Sequence, residues 1–351
     1  DIDSLAGVMH EAFYVAAHGR PGPVVVDLPK DILMAEGPYA PPSEIAHRSY
    51  RPQVKGKPDA VEQAVDLIAA GKRPIFYGGG GLINAGPEAS DLFREFVKET
   101  GYPCTLTLMG LGAYPSSDPQ FLGMLGMHGT YEANLAMHGC DVMINIGARF
   151  DDRVTGLLSA FSPGSKKIHV DIDPSSINKN VSVDVPVVGD AATVLAQMLE
   201  VWRRKKYSAD KPALEAWWRQ INLWRQRDCL GFRQTGDVIR PQHAIRRLFE
   251  KTAERECFIS TEVGQHQMWA AQYYGFDKPN RWLTSGGLGT MGYGLPAAVG
   301  AQVAHPDALV IDIAGEASIL MNIQELSTIA QYRLPVKAYI TVSYTHLRAH
   351  E

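Results

Sequence analysis

Two hydrophobic periods alternate along this chain. Apolar residues recurring every three or four positions predict helices over residues 5–17, 61–70, 87–100, 191–204 and 241–251. Short apolar runs bounded by Gly, Pro or acidic residues predict strands over 24–31, 74–77, 103–108, 142–146, 167–172, 257–260, 308–313 and 336–340. Between the last two strands, Ile319, Ile323, Leu326, Ile329 and Ala330 fall at helical spacing, and Leu334-Pro335 stops the run. Strands that alternate with helices predict an α/β fold, with parallel sheets flanked by helices.

Breaks in this pattern divide the chain. Residues 1–36 give one helix–strand unit, too small to bury a core alone. Residues 37–57 are rich in Pro and polar residues and read as a linker. Residues 58–205 form a central domain, 206–240 a linking and packing segment, and 241–341 a last domain. Trp217, Trp218 and Trp224, at near-helical spacing, are expected to pack between domains. No internal repeat or low-complexity segment is present.

Composition narrows the partners. The 351 residues are 45% hydrophobic and 21% charged, which fits a globular protein. A net charge of −4 gives no reason to expect nucleic acid or an anionic membrane. No apolar run is long enough for a membrane-spanning helix. Cys104, Cys140, Cys229 and Cys257 are far apart, form no CxxC and read as free thiols of a reducing compartment. With no signal pattern at the N-terminus, a cytoplasmic, bacterial-type protein is expected.

Candidate chemistry lies at strand ends. The strand over 308–313 runs into Gly315-Glu316-Ala317-Ser318 and then the helix. A turn at the carboxyl end of a parallel strand is where ligands bind. The N–H groups of Ala317 and Ser318 suit phosphate. Glu316 suits Mg²⁺, which takes few carboxylates plus phosphate oxygens. Glycines 78–81 follow another strand and permit close backbone approach, to a ligand or simply in a turn. The strand over 142–146 leads into Gly147-Ala148-Arg149-Phe150-Asp151-Asp152-Arg153, and acids close the next strand at Asp171 and Asp173. A Gly-rich strand end followed by an acid at the next strand end suits a dinucleotide, although GxGxxG is absent. On the loop alone, Arg153 reads equally as a surface ion pair with Asp151 or Asp152.

The turn at Gly315, the run Ile323-Gln324-Glu325-Leu326-Ser327-Thr328, the loop 147–156 and the stretches 262–267 and 286–296 together resemble the acetohydroxyacid synthase family of thiamine diphosphate enzymes. The resemblance covers about residues 1–341. It implies a C-terminal remnant of a pyrimidine-binding domain, a central FAD-type Rossmann-like domain and an incomplete thiamine-diphosphate-binding domain. It implies thiamine diphosphate at Val263, Gly264, Gln265, His266, Gly289, Thr290, Met291, Gly315, Ala317 and Ser318, with Mg²⁺ on Glu316. Met291 would wedge between the two rings of the cofactor, a task that suits an apolar, adaptable thioether. FAD is implied at Arg20, Thr107, Leu108, Met109, Gly126, Met127, His128, Gly147, Arg149, Asp152, Asp171, Ile172 and Asp190. Arg153 would hold the carboxylate of the second substrate, and Lys30 would line the substrate channel.

The implied reaction decarboxylates pyruvate on thiamine diphosphate and joins the hydroxyethyl unit to a second 2-keto acid, the first common step of branched-chain amino-acid synthesis. FAD would be structural. The family implies a homodimer and a regulatory small subunit. Other readings are a pyruvate oxidase or sulfoacetaldehyde acetyltransferase relative, or a bare FAD-binding module. Glu316 stands where the wider superfamily mostly has Asp, and Val342 and Ser343 stand where it has paired Asn. Residues 342–351 read as a non-native tail; His346 and His350 there, at i and i+4, lack a third ligand. The activating glutamate of the family has no counterpart here, so these 351 residues are expected to be inactive.

Overall fold

The computed structural model describes residues 1–40, 42, 47 and 49–341. Part of the Pro-rich linker lies outside them, as do the tail 342–351 and the readings placed on it.

The N-terminal segment is α1 (Ile2–Ala17), an extended stretch, and α2 (Lys30–Met34). The strand expected over 24–31 does not form. A strand needs a hydrogen-bonded neighbour, and no described residue offers one. Val25 is 92% exposed, and Lys30 opens a helix instead. Helix α1 buries none of its residues.

The central unit runs through α3 (Pro58–Ala70), β1 (Pro74–Gly78), α4 (Gly80–Asn84), α5 (Pro87–Thr100), β2 (Cys104–Leu106), β3 (Phe121–Met124), α6 (Tyr131–Gly139), β4 (Val142–Ile146), α7 (Asp152–Thr155), β5 (Lys166–Asp171), β6 (Val185–Val188), α8 (Ala191–Arg204) and α9 (Lys211–Arg225). Its six strands pair in parallel in the order β3-β2-β1-β4-β5-β6. Side chains alternate across the sheet. Phe76, Cys104, Leu106, Ile144, Ile168 and Val170 meet α3, α5 and α8, whereas Ile75, Tyr77 and Met143 meet α6 and α9. The three tryptophans pack on this second face or its rim, not between units. Trp217 is buried, donates to the Pro74 carbonyl at 3.2 Å and stacks edge-on against Trp224. Trp218 donates to the Gly101 carbonyl at 2.9 Å.

The second unit runs through α10 (Pro241–Thr252), β7 (Cys257–Thr261), α11 (Gln265–Tyr273), β8 (Trp282–Thr284), α12 (Gly294–Ala304), β9 (Leu309–Gly315), α13 (Glu325–Tyr332) and β10 (Lys337–Thr341). Its strands are parallel in the order β10-β9-β7-β8. The helix expected from Ile319 is broken. A 3₁₀ turn covers Ile319–Asn322, and α13 begins at Glu325. The dihedrals stay helical, but Leu326 and Ser327 bond three residues back rather than four. Of the apolar stripe, Ile319 is buried and Ile329 packs against the core, while Ile323 and Leu326 face outward.

The two units share one apolar core, in which Ile245, Tyr274, Phe276, Trp282 and Ile313 join the cluster of the central sheet. Polar bonds fix the seam. The Trp282 indole donates to the Leu108 carbonyl at 3.0 Å, and Ser116 and Ser117 both donate to Asp277 Oδ1. Arg94 donates to the carbonyls of Gly112, Ala113 and Asp277 at 2.8, 2.9 and 3.1 Å.

Two local features bear on stability. Gly147, at φ +67°, packs back to back on Gly81; a Cβ there would sit 2.6 Å from Gly81 Cα. Gly147→Ala adds left-handed strain to a clash with backbone. We expect a loss of about 2–4 kcal/mol, read from urea unfolding midpoints; an unchanged midpoint would show that the loop can yield.

Asp312 on β9 is fully buried. Its Oδ1 accepts from Ser260 Oγ at 3.1 Å, and its Oδ2 has no partner. Burial, and then the Glu262 charge, push its carboxyl from 3.8 up to about 7. The folded chain therefore holds this proton more tightly than the unfolded chain does. The contribution is full below pH about 4 and is lost as pH rises to about 7, on the order of a few kcal/mol. Asp312→Asn should flatten that dependence, so that its thermal midpoint gains on the wild type between pH 5 and pH 8. A midpoint difference independent of pH would refute it.

Candidate functional site

In an open parallel sheet, the crevice lies beyond the carboxyl ends of the strands, where the strand order reverses. The central sheet reverses between β1 and β4 and the second sheet between β7 and β9. Both crevices open toward the seam. A cavity of about 950 Å³ lies there, lined by the ends of β1, β4 and β5 and by loops of the second unit.

On the central side its wall carries Thr107, Leu108, Met109, Met127, His128, Gly147, Arg149, Asp152, Asp171, Ile172 and Asp190, with Arg20 reaching in from the N-terminal segment. Arg20 is tied to this rim by an ion pair with Asp173 at 3.4 Å. Gly126 is not on the wall. It sits behind it, where a Cβ would lie 2.6 Å from the Arg153 carbonyl oxygen, and Asn134 holds both its N–H and its carbonyl. Lys30 is exposed and does not line the cavity.

Local bonding explains the wall. Thr107 caps a 3₁₀ turn by accepting from the Gly110 N–H at 3.1 Å, which presents Leu108 and Met109. Phe150 takes a left-handed conformation, φ 54°, and buries its ring against Tyr77 and His169. That reversal leaves Arg149 exposed on the cavity side. Asp190 caps α8 through the Thr193 N–H at 3.0 Å. Asp171 accepts from the Asp173 N–H at 2.9 Å, and its other oxygen lies 3.6 Å from Nε2 of the fully buried His169. Arg153 lines the cavity with its Nη1 3.8 Å from Met127 Sδ and makes no ion pair with Asp151 or Asp152.

The second unit supplies the opposite wall. Val263, Gly264 and Gln265 follow β7, and Ser285 to Gly289 form a glycine strap after β8. The strap rests on the central unit: a Cβ on Gly286 would meet Met109 Sδ at 2.4 Å. Gln267 pins its root, donating to Thr284 Oγ1 at 2.7 Å and to the Ser285 carbonyl at 3.2 Å. Beyond the strap, Thr290 donates its N–H to Ser285 Oγ at 3.0 Å, and Met291 is 40% exposed.

The acidic turn lies beside His266. A Cβ on Gly315 would sit 2.8 Å from the imidazole, and the Glu316 charge acts on that ring. Burial lowers the His266 pKa to about 4, against the opposing pull of the Glu262 backbone and Glu316, so the ring is neutral at pH 7. Its Nε2 is buried with no protein partner, a polar atom left for a ligand group to satisfy. Glu316 is half-buried. Ser318 commits its hydroxyl to Gly315, bonding both its N–H and its carbonyl at 3.2 Å. Among the described residues, no three His, Cys, Asp or Glu side chains gather as a metal cage. The described cysteines are all free, with Cys104, Cys140 and Cys257 buried and Cys229 exposed. No helix among them is long and apolar enough to cross a membrane.

Several residues of the site take their roles only from the fold. Glu262 is buried and accepts from the N–H groups of Gly292 and Leu295 at 2.6 and 3.0 Å. Asn322 donates to the Gly292 carbonyl at 2.6 Å. Gln267 and Met268 line the cavity on α11, a helix too weakly patterned to predict.

Comparison with known proteins gives this geometry a lineage. Residues 61–198 match the family described as thiamine pyrophosphate enzyme, central domain, and residues 262–342 match its C-terminal TPP binding domain. The chain is 48% identical over 336 residues to the acetolactate synthase isozyme 3 large subunit of Escherichia coli, covering 95% of this chain and 58% of that one. It is 47% identical to the acetolactate synthase large subunit of Haemophilus influenzae, with the same coverage. It is 46% identical to the chloroplastic acetolactate synthase of Arabidopsis thaliana, covering 97% of this chain and 50% of that one. The chain thus spans between half and three-fifths of the length of these relatives. With both domain families matched in order, and nearly half its residues identical along almost its whole length, the chain belongs to the thiamine pyrophosphate enzymes as a homologue of acetolactate synthase large subunits.

Proposed function

We propose that the protein acts as an acetolactate synthase, decarboxylating pyruvate and joining the two-carbon unit to a second 2-keto acid. The observation that carries this reading is the seam, where the cavity, the turn at 262–266 and the glycine strap adjoin and the Glu316 turn lies against His266. The relatives are named acetolactate synthases, which supports this reaction. When bound, thiamine diphosphate supplies an electron sink that lets carbon dioxide leave a 2-keto acid.

This chain's own residues hold and orient. Gln265 and the neutral His266 would adjoin the diphosphate, with His266 Nε2 left free of any protein partner. Glu316 would hold Mg²⁺, an ion that takes few carboxylates plus phosphate oxygens rather than a protein cage. Gly289, Thr290 and Met291 would hold the ring end of thiamine diphosphate, and Gly315, Ala317 and Ser318 its phosphate end. Arg153, with no ion pair to Asp151 or Asp152, orients the second substrate by its carboxylate.

FAD would be held by the central-domain wall of the 950 Å³ cavity, in a Rossmann-like domain. All the residues assigned to it line that cavity except Gly126, which supports the loop from behind. The strand order 3-2-1-4-5-6 supports a dinucleotide. A second copy of the chain and a regulatory small subunit are the proposed partners. Exposed Leu288, Leu320 and Met321 favour the first, and the relatives' designation as large subunits favours the second.

Calorimetric titration tests the reading. Thiamine diphosphate with Mg²⁺ should bind, and Glu316→Gln should weaken it about tenfold by removing a charged ligand. FAD should bind separately, with flavin absorbance co-eluting on gel filtration, and Arg149→Ala should reduce its retention. FAD binding without thiamine diphosphate binding would replace the reading with a flavin module alone. In a full-length protein containing these residues, pyruvate should give 2-acetolactate; acetate or acetyl phosphate instead would favour a pyruvate oxidase.

A further inference from the structure

We infer that Glu262 and Asn322 are positioning residues for Met291 and that both act through Gly292. The inference rests on the thiamine diphosphate reading above and adds to it how the ring-facing side chain is held.

Little fixes the short segment beyond the strap that carries Met291. From Gly286 to Met291 every residue is exposed, and Leu288 is 92% exposed. At the upstream end the Thr290 N–H meets Ser285 Oγ. At the downstream end, one residue past Met291, both backbone polar groups of Gly292 are taken by side chains from distant segments. The Gly292 N–H donates to Glu262 Oε2, and its carbonyl accepts from Asn322 Nδ2, both at 2.6 Å. Each clamp is itself held. Glu262 Oε1 accepts from the Leu295 N–H at 3.0 Å, in the first turn of α12. Asn322 Oδ1 accepts from Gln324 Nε2 at 3.0 Å. Gly292 sits at φ +88°, and a Cβ there would lie 2.8 Å from both Asn322 Nδ2 and Met321 Cβ, so only glycine fits between them.

The chemistry explains the residue types. Two N–H groups converge on position 262, and a carboxylate accepts both; an amide would turn its own NH₂ against one of them. A carbonyl faces position 322, and an amide donates to it. Glu262 immediately precedes the turn at 263–266, and Asn322 closes the 3₁₀ turn that follows Glu316. The strap, the diphosphate turn and the metal turn are therefore coupled at one residue, which sets the direction in which Met291 leaves the backbone.

The test uses the full chain and two probes: thiamine diphosphate with Mg²⁺, and inorganic pyrophosphate with Mg²⁺, which has no rings for Met291 to hold. Asn322→Ala and Glu262→Gln should each weaken thiamine diphosphate binding by about tenfold, with pyrophosphate affinity changing less than about twofold. Met291→Ala should give the same pattern. Thermal midpoints of the unliganded variants are read alongside. Should Glu262→Gln fail to fold, the half-buried Asn322 carries the test. Equal loss of both ligands would reduce these residues to a structural role, and unchanged thiamine diphosphate affinity would overturn the proposal outright. A wild-type chain that binds pyrophosphate but not thiamine diphosphate overturns the cofactor reading, and this inference with it.

Discussion

Parallel strands deliver all their carboxyl ends to one edge of a sheet, and the seam between two such edges governs this molecule. The Trp282 indole on the Leu108 carbonyl and the Arg94 guanidinium on three carbonyls lock the edges together. Arg94 is suited to this because its planar fork reaches several acceptors at once. Because the apolar core continues across the seam, the units cannot separate without exposing Phe276 and Trp282. The cavity at that edge is thus a consequence of how the sheets are joined, and its walls come from loops far apart in sequence.

Buried charge is handled in three ways within a short distance. Glu262 is satisfied by two backbone N–H groups, including one in the first turn of α12, where the helix dipole favours a negative charge. Asp312 has its carboxyl pushed up to about 7 by burial and by Glu262, so it is partly protonated near neutral pH. His266 is kept neutral by burial despite the Glu316 charge. A neutral imidazole and a partly protonated carboxyl flank the anchored carboxylate, which limits the uncompensated charge beneath the strap.

Some elements were legible from periodicity alone. The span 87–100 is amphipathic, opens with Pro and closes on Gly101 in the left-handed conformation, and the structure matches it residue for residue. The span 191–204 has an Asp cap and a basic last turn, and it too is matched. Strands β1 and β4 read as apolar runs because both their faces are covered. Strands β3, β6 and β8, of three or four residues, were too short to stand out. Helices α11 and α12 are nearly uniform around their circumference, because α11 lies in the seam and α12 against two strands. The valine run at 24–26 misled in the other direction, since local propensity cannot supply a pairing partner.

Sequence by itself determined which residue types stand at each strand end: glycines at 78–81 and at 286, 287 and 289, the acidic turn at Glu316, and the arginines at 149 and 153. These follow from turn chemistry and periodicity, which are local properties of the chain. Only the tertiary structure decided that Glu262, Gly292 and Asn322 meet, and that Arg94 reaches Asp277. Such contacts depend on strand order and on the packing of two sheets, and a single polar residue bonding to distant backbone leaves no period in the sequence to betray it.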